Sequence, residues 1–166
     1  MPWASVPGTD LPVSGTATDV PGTGAVNALR ESTRDDEKEL TVTKQIVHTG
    51  DAPASSAYSQ AVRGGGLVFV SGQGPFDPVS GKVAGTTIQE QTRQCLANVQ
   101  AILTAAGSSL DKVLSATFIL AEEDDFAGMN EEWARWFPVA PPARQGAQLP
   151  IRPGGMKVSV AVIAEA

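Results

Sequence analysis

One histidine, His48, and one cysteine, Cys95, stand in a chain of 166 residues. That scarcity argues against a Ser-His-Asp type triad and against the usual His-rich metal centres. A single cysteine closes no intrachain disulfide and builds no cysteine-rich zinc site. No GxGxxG, GxSxG or GK[ST] string occurs, and Gly64-Gly65-Gly66 precedes an apolar run, so it reads as a turn and not as a phosphate cradle. An arginine's planar guanidinium, such as that of Arg144, can pair both oxygens of a carboxylate. On residue type alone a surface ion pair is the favoured reading of Arg144. Tyr58 is the only tyrosine, and Ser71-Gly72-Gln73-Gly74-Pro75 begins thirteen positions after it.

The elements that must position these residues are legible from residue 40 onward. Leu40, Val42, Ile46 and Val47 suggest a first strand. Leu67-Val68-Phe69-Val70 is a second, and the glycine turn before it suggests a hairpin. Pro75, Pro78 and Gly81 punctuate a loop. From Thr86 to Ala106, Ile88, Thr92, Cys95, Leu96, Val99, Ile102 and Leu103 recur at helical steps. Thr86 or Thr87 with Glu90 reads as a capping box, and Gly107 as the stop. Cys95 lies in that stripe and reads as a small buried hydrophobe. Val113–Leu120 is apolar on both faces, as a central strand requires. Asp124 or Asp125 caps a second helix to Phe137, whose Phe126, Met129, Trp133, Trp136 and Phe137 form core or a subunit contact. Ala143–Leu149 is a short strand and Met156–Ala164 the last one. The order ββ-α-β-α-ββ implies an α+β fold, a mixed sheet with both helices on one face.

Composition sets the outer limits. Twelve basic and eighteen acidic residues give a formal charge of −6, which argues against a partner such as nucleic acid. Residues 1–40 carry seven acids and three bases with no apolar period, and read as a flexible N-terminal extension ahead of a single domain over 41–166. No apolar run reaches the roughly 18–20 residues of a membrane span. No basic start with an apolar stretch opens the chain, so the expected compartment is the cytoplasm, with no membrane partner.

Several strings stand in a specific order. Ala57-Tyr58-Ser59-Gln60-Ala61-Val62 leads to Ser71-Gly72-Gln73-Gly74-Pro75, then Asp77-Pro78 and Ser80-Gly81-Lys82-Val83. Gln91-Thr92-Arg93-Gln94-Cys95-Leu96-Ala97-Asn98-Val99 and Asp125-Phe126-Ala127-Gly128-Met129-Asn130 follow. Pro142-Ala143-Arg144 and, thirteen residues on, Lys157-Val158-Ser159-Val160 complete the set. In this order and spacing the chain resembles the Rid family of reactive-intermediate deaminases, also called the YjgF family, over roughly residues 43–164.

The resemblance implies a chorismate-mutase-like fold assembled as a homotrimer, with a pocket at each subunit interface. It implies hydrolysis of enamines and imines, such as 2-aminoacrylate, to 2-keto acids and ammonia without a cofactor. Arg144 matches the carboxylate-binding arginine. Tyr58 matches a pocket tyrosine, for which a half-buried core role is the competing reading. Ser71 and Gly72 match a turn where backbone approaches the ligand. Asn130 matches a pocket amide, though an exposed helix asparagine is an equally plain reading. Two positions depart from the family pattern. Ser159 stands where deaminases usually carry a glutamate that holds the attacking water, and a hydroxyl orients water but is no base near neutral pH. Gly146 stands where a cysteine is common. A carboxylate-binding or chaperone-like module without turnover is the alternative reading, and a ribonuclease a further one.

Overall fold

The computed structural model describes residues 43–149 and 153–166; the expectations for residues 1–40 lie outside the described residues. Glycine makes the first hairpin. Gly65 and Gly66 both adopt left-handed φ, +60° and +77°, a backbone that suits a two-residue turn between right-twisted strands. The turn joins β2 (Ala61–Gly64) to β3 (Leu67–Gln73), and Gly64 pairs with Leu67. β1 (Gln45–Val47) pairs antiparallel with β2. The sequence pattern misses β2, so three strands, not two, precede the first helix. β2 is only four residues long, too short to show a period.

Helix α1 (Ile88–Ala105) starts as its residues require. Thr87 Oγ1 accepts from the Glu90 amide at 3.2 Å, and Glu90 Oε2 accepts from the Thr86 and Thr87 amides at 2.8 and 3.0 Å. It ends at Gly107, φ +77°, where the Ser108 amide donates to Leu103 O and the Gly107 amide to Thr104 O; only glycine takes that backbone cheaply. Its apolar stripe, Cys95, Leu96, Val99, Ile102 and Leu103, is buried. Burial pushes the Cys95 thiol far up, so it stays protonated and inert.

Helix α2 (Phe126–Trp136) follows β4 (Val113–Leu120). Asp125 stands at its N-terminus but makes no side-chain cap. Its carboxylate instead takes Lys157 Nζ at 3.1 Å, which ties the helix start to the last strand. Met129, Trp133 and Phe137 enter the core, whereas Phe126 stays 46% exposed.

β5 (Ala143–Gln148) and β6 (Val158–Glu165) complete a six-stranded sheet in the order β1-β2-β3-β6-β4-β5. Only β4 and β5 run parallel; the other neighbours are antiparallel. Residues paired across strands share a face. Val70, Val162, Ala116 and Arg144 form one such row across β3, β6, β4 and β5. Its first three members are buried, and this face carries both helices. Phe69, Ile163 and Ser115 form a row on the other face, which no element of the described residues covers. A register shift between Val113 and Ser115 breaks the expected alternation of β4: Val113 is buried and Leu114 half-exposed.

Candidate functional site

Arg144 lies on β5, an edge strand whose six residues are all exposed. Its register partner is Ala116 on the buried face, so its side chain rises on the side of α2. The guanidinium carbon stands 5.1 Å from the centre of the Phe118 ring and 4.9 Å from that of Trp133. One Nη donates to Asn130 Oδ1 at 2.6 Å, and the other contacts Met129 Sδ at 3.9 Å. Met129, Asn130 and Trp133 come from consecutive turns of one helix face. Two aromatic faces and one amide fix the plane of the fork. Burial lowers the Arg144 pKa, and no anion among the described residues offsets it. A guanidinium shifted down from so high a value stays charged at neutral pH. A partly shielded cation with no carboxylate on it among the described residues leaves its fork open to one from outside.

Gly146 pairs with Phe118 across β4 and β5. A Cβ at 146 would overlap the Phe118 ring, so glycine is what lets that ring lie across the edge strand. Phe118 packs on Phe126 with centroids 5.9 Å apart. With Leu120, Ala127 and Gly146 these rings line a cavity of about 560 Å³. Gly146 makes room for Phe118.

Tyr58, Ser71, Gly72 and Ser159 lie elsewhere. Tyr58 is 51% exposed, not half-buried core, and precedes β2. Ser71 Oγ donates to Ser59 O at 2.7 Å, and the Ser71 amide to Gln60 O at 3.0 Å. A Cβ on Gly72 would meet only Ser159 Oγ, at 4.0 Å, so the glycine leaves clearance above the backbone. Ser159 pairs with Ile119 on the face away from the helices. Ser159 and Arg144 occupy opposite faces of the sheet. β2 and β5 lie four strand spacings apart, about 19 Å at ~4.8 Å per strand. Within one chain Arg144 stands with Asn130 and Gly146, and Gly72 stands beside Ser159, while Ser71 is tied to Ser59 and Gln60 next to Tyr58.

Buried amides hold these loops in place. Gln60 Nε2 donates to Thr49 O, Ala52 O and Pro53 O at 3.1, 2.8 and 3.1 Å. Asn98 Nδ2 donates to Gly74 O and Phe76 O at 3.1 and 3.0 Å. Gln91 Oε1 accepts from the Lys157 amide at 2.7 Å. The strings that carried the resemblance thus act largely as loop anchors. Phe118 and Trp133, the walls of the arginine, escaped sequence reasoning as site residues because an aromatic in a core period looks the same as one beside a ligand. The position of Arg144 in the sequence gave no signal of which aromatics, on another strand and a helix, would face it.

Comparison with known proteins followed the same outline. Residues 49–166 match the family model described as endoribonuclease L-PSP. A RutC family protein of Pyrococcus horikoshii is 39% identical over 122 residues, covering 73% of this chain and 97% of that one. The 2-iminobutanoate/2-iminopropanoate deaminase of Capra hircus is 36% identical over 122 residues, covering 73% and 89%. The crystal structure of the Rid family protein YyfA from Yersinia pestis superposes with a TM-score of 0.72 at 33% identity, covering 75% of this chain and all of that one.

Proposed function

The chain belongs to the Rid (YjgF) family, and on that premise we propose that it hydrolyses small 2-carboxylated enamines and imines, such as 2-aminoacrylate and 2-iminopropionate, to 2-keto acids and ammonia. The observation that carries this reading is the Arg144 fork, held between Phe118 and Trp133 and without a counter-ion among the described residues. An enamine first tautomerises to the imine, its carbon taking up a proton and its nitrogen giving one up. The substrate carboxylate pairs with Arg144, and Asn130 keeps the guanidinium in plane. Water, oriented by the Ser159 hydroxyl or by backbone near Gly72, adds to the imine carbon and gives a carbinolamine. The C–N bond then breaks as the C=O bond forms, and the nitrogen leaves protonated by the hydroxyl proton. The basic nitrogen of the substrate carries these protons, so the reaction needs neither a strong protein base nor a cofactor.

In this reading the working unit is a homotrimer, with Tyr58, Ser71, Gly72 and Ser159 of one copy facing Arg144 of the next. Two features support it: the separation of the two groups within one chain, and the uncovered sheet face that bears Phe69 and Ile163. Closed symmetry would bury three such faces together. Light scattering in dilute buffer should return three chain masses; a mass near one chain would overturn the assembly.

The deciding assay supplies 2-aminoacrylate from a pyridoxal-phosphate enzyme and follows 2-keto acid with and without this protein. Faster appearance supports the proposal. Carboxylate binding with no acceleration would favour a ligand-binding or chaperone-like module, the reading that Ser159 in the family's glutamate position recommends. RNA cleavage that disappears in Arg144→Ala would favour the activity named in the family model.

A further inference from the structure

We infer that the cavity beside Phe118 and Gly146 is the side-chain subsite, and that it selects 2-imino acids bearing a large apolar side chain, aromatic or branched aliphatic. This rests on the reading of Arg144 as the carboxylate clamp. Phe118 belongs to both places: one contact of its ring is the guanidinium, 5.1 Å away, and another is Phe126, 5.9 Å away, which with it forms part of the cavity wall. Arg144 does not itself line the cavity, so Phe118 is the shared wall past which a substrate held by its carboxylate on the fork would extend into it. The methyl of 2-iminopropionate would leave most of the space unfilled. At about 560 Å³ the cavity lies within the roughly 300–1,000 Å³ of small-molecule sites. Its walls are two phenyl rings, Leu120 and Ala127, with a glycine where any side chain would displace Phe118. Planar walls of this kind favour an aromatic or branched group by area and by ring geometry. Glu123 and Asp124 also border the cavity. Both are carboxylates, so a second negative charge on the substrate is repelled there.

The 2-keto acid products serve as stable probes. Phenylpyruvate, pyruvate and 2-oxoglutarate are titrated into the full chain by calorimetry, with the wild type, Ala127→Phe and Arg144→Ala in parallel. Ala127 is exposed on the first turn of α2, so a larger side chain there enters the cavity without entering the core. The expected result is phenylpyruvate at least tenfold tighter than pyruvate, the scale of a well-filled apolar pocket, with 2-oxoglutarate no tighter than pyruvate. In Ala127→Phe the preference should shrink to threefold or less. Arg144→Ala should weaken phenylpyruvate and pyruvate alike. Equal affinity for the two in the wild type, or an undiminished preference in Ala127→Phe, overturns the subsite while leaving the clamp standing. A preference that survives Arg144→Ala with both affinities unchanged overturns the clamp instead. A matching kinetic arm makes the imines of phenylalanine and alanine with an amino-acid oxidase. It compares their hydrolysis against capture by semicarbazide, and the phenylalanine imine should show the higher kcat/KM.

Discussion

Arg93 grips both carboxylate oxygens of Glu132, Nε to Oε1 at 2.8 Å and Nη2 to Oε2 at 2.9 Å. The pair ties α1 to α2. Glu132 is 2% exposed and Arg93 51%, so a buried anion is neutralised from the surface. Trp136 Nε1 donates to Oε1 at 3.1 Å and Arg135 adds a 3.3 Å contact. With every lone pair engaged the carboxylate tolerates burial. Because Met129, Asn130 and Trp133 ride on the same helix, this anchor also sets where the walls of Arg144 stand.

The Glu132 carboxyl is held below its ordinary range, first by the Arg93 hydrogen bonds and against the opposing effect of burial. A depressed folded pKa contributes stability that is present above the unfolded value, near 4.3, and is lost as pH falls through the folded one. Glu132→Gln should therefore lower stability at pH 7 by about 1–3 kcal/mol, reduced from a fully buried pair because Arg93 is half-exposed. Thermal melts from pH 7 to 3 should show the gap between wild type and variant closing below about pH 4. A gap of constant size would mean that the charge contributes nothing.

Arg144→Ala should weaken binding of a 2-keto acid by about 2–3 kcal/mol, the scale of a charged hydrogen-bonded contact. Arg144→Lys should recover only part, since an ammonium has no planar fork and stacks less well between Phe118 and Trp133. Calorimetric titration with a keto acid reads both. Unchanged binding in Arg144→Ala would remove Arg144 from the site.

Ser159→Glu should raise the kcat for 2-aminoacrylate, because a carboxylate can hold and polarise the attacking water. The added charge beside the substrate carboxylate should leave KM equal or higher. Steady-state kinetics separate the two constants. Loss of wild-type activity in this variant would mean that the pocket is organised around serine for another substrate.

Gly146→Ala should destabilise the protein by about 1–3 kcal/mol, since the new methyl overlaps the Phe118 ring and overpacking carries that cost. Phe118→Val removes the obstacle, so the double variant should be more stable than the sum of the two single changes predicts. A denaturant-based double-mutant cycle should give a coupling of about 0.5–3 kcal/mol. Strict additivity would show that the ring moves aside freely.

Local chemistry written along the chain was enough for much of the fold. The capping box at Thr87 and Glu90, the left-handed stop at Gly107 and the glycine turn at 65–66 each depend on a few neighbouring residues, so they could be read directly. The period of α1 and the span of β4 were equally plain, because a buried stripe must repeat with its element. The ordered strings around Tyr58, Ser71 and Arg144 pointed to the family by themselves. Short β2 could not be read, since four residues show no period and pairing with both neighbours is what makes it a strand. Asp125 looked like a cap, but Lys157, thirty-two residues away, offered its carboxylate a full charge. Only the tertiary structure put Arg144 between Phe118 and Trp133, and only the sheet order set Tyr58 and Ser159 apart from it. Those relations come from strand register and helix docking, which join residues distant in sequence through contacts that no local pattern encodes.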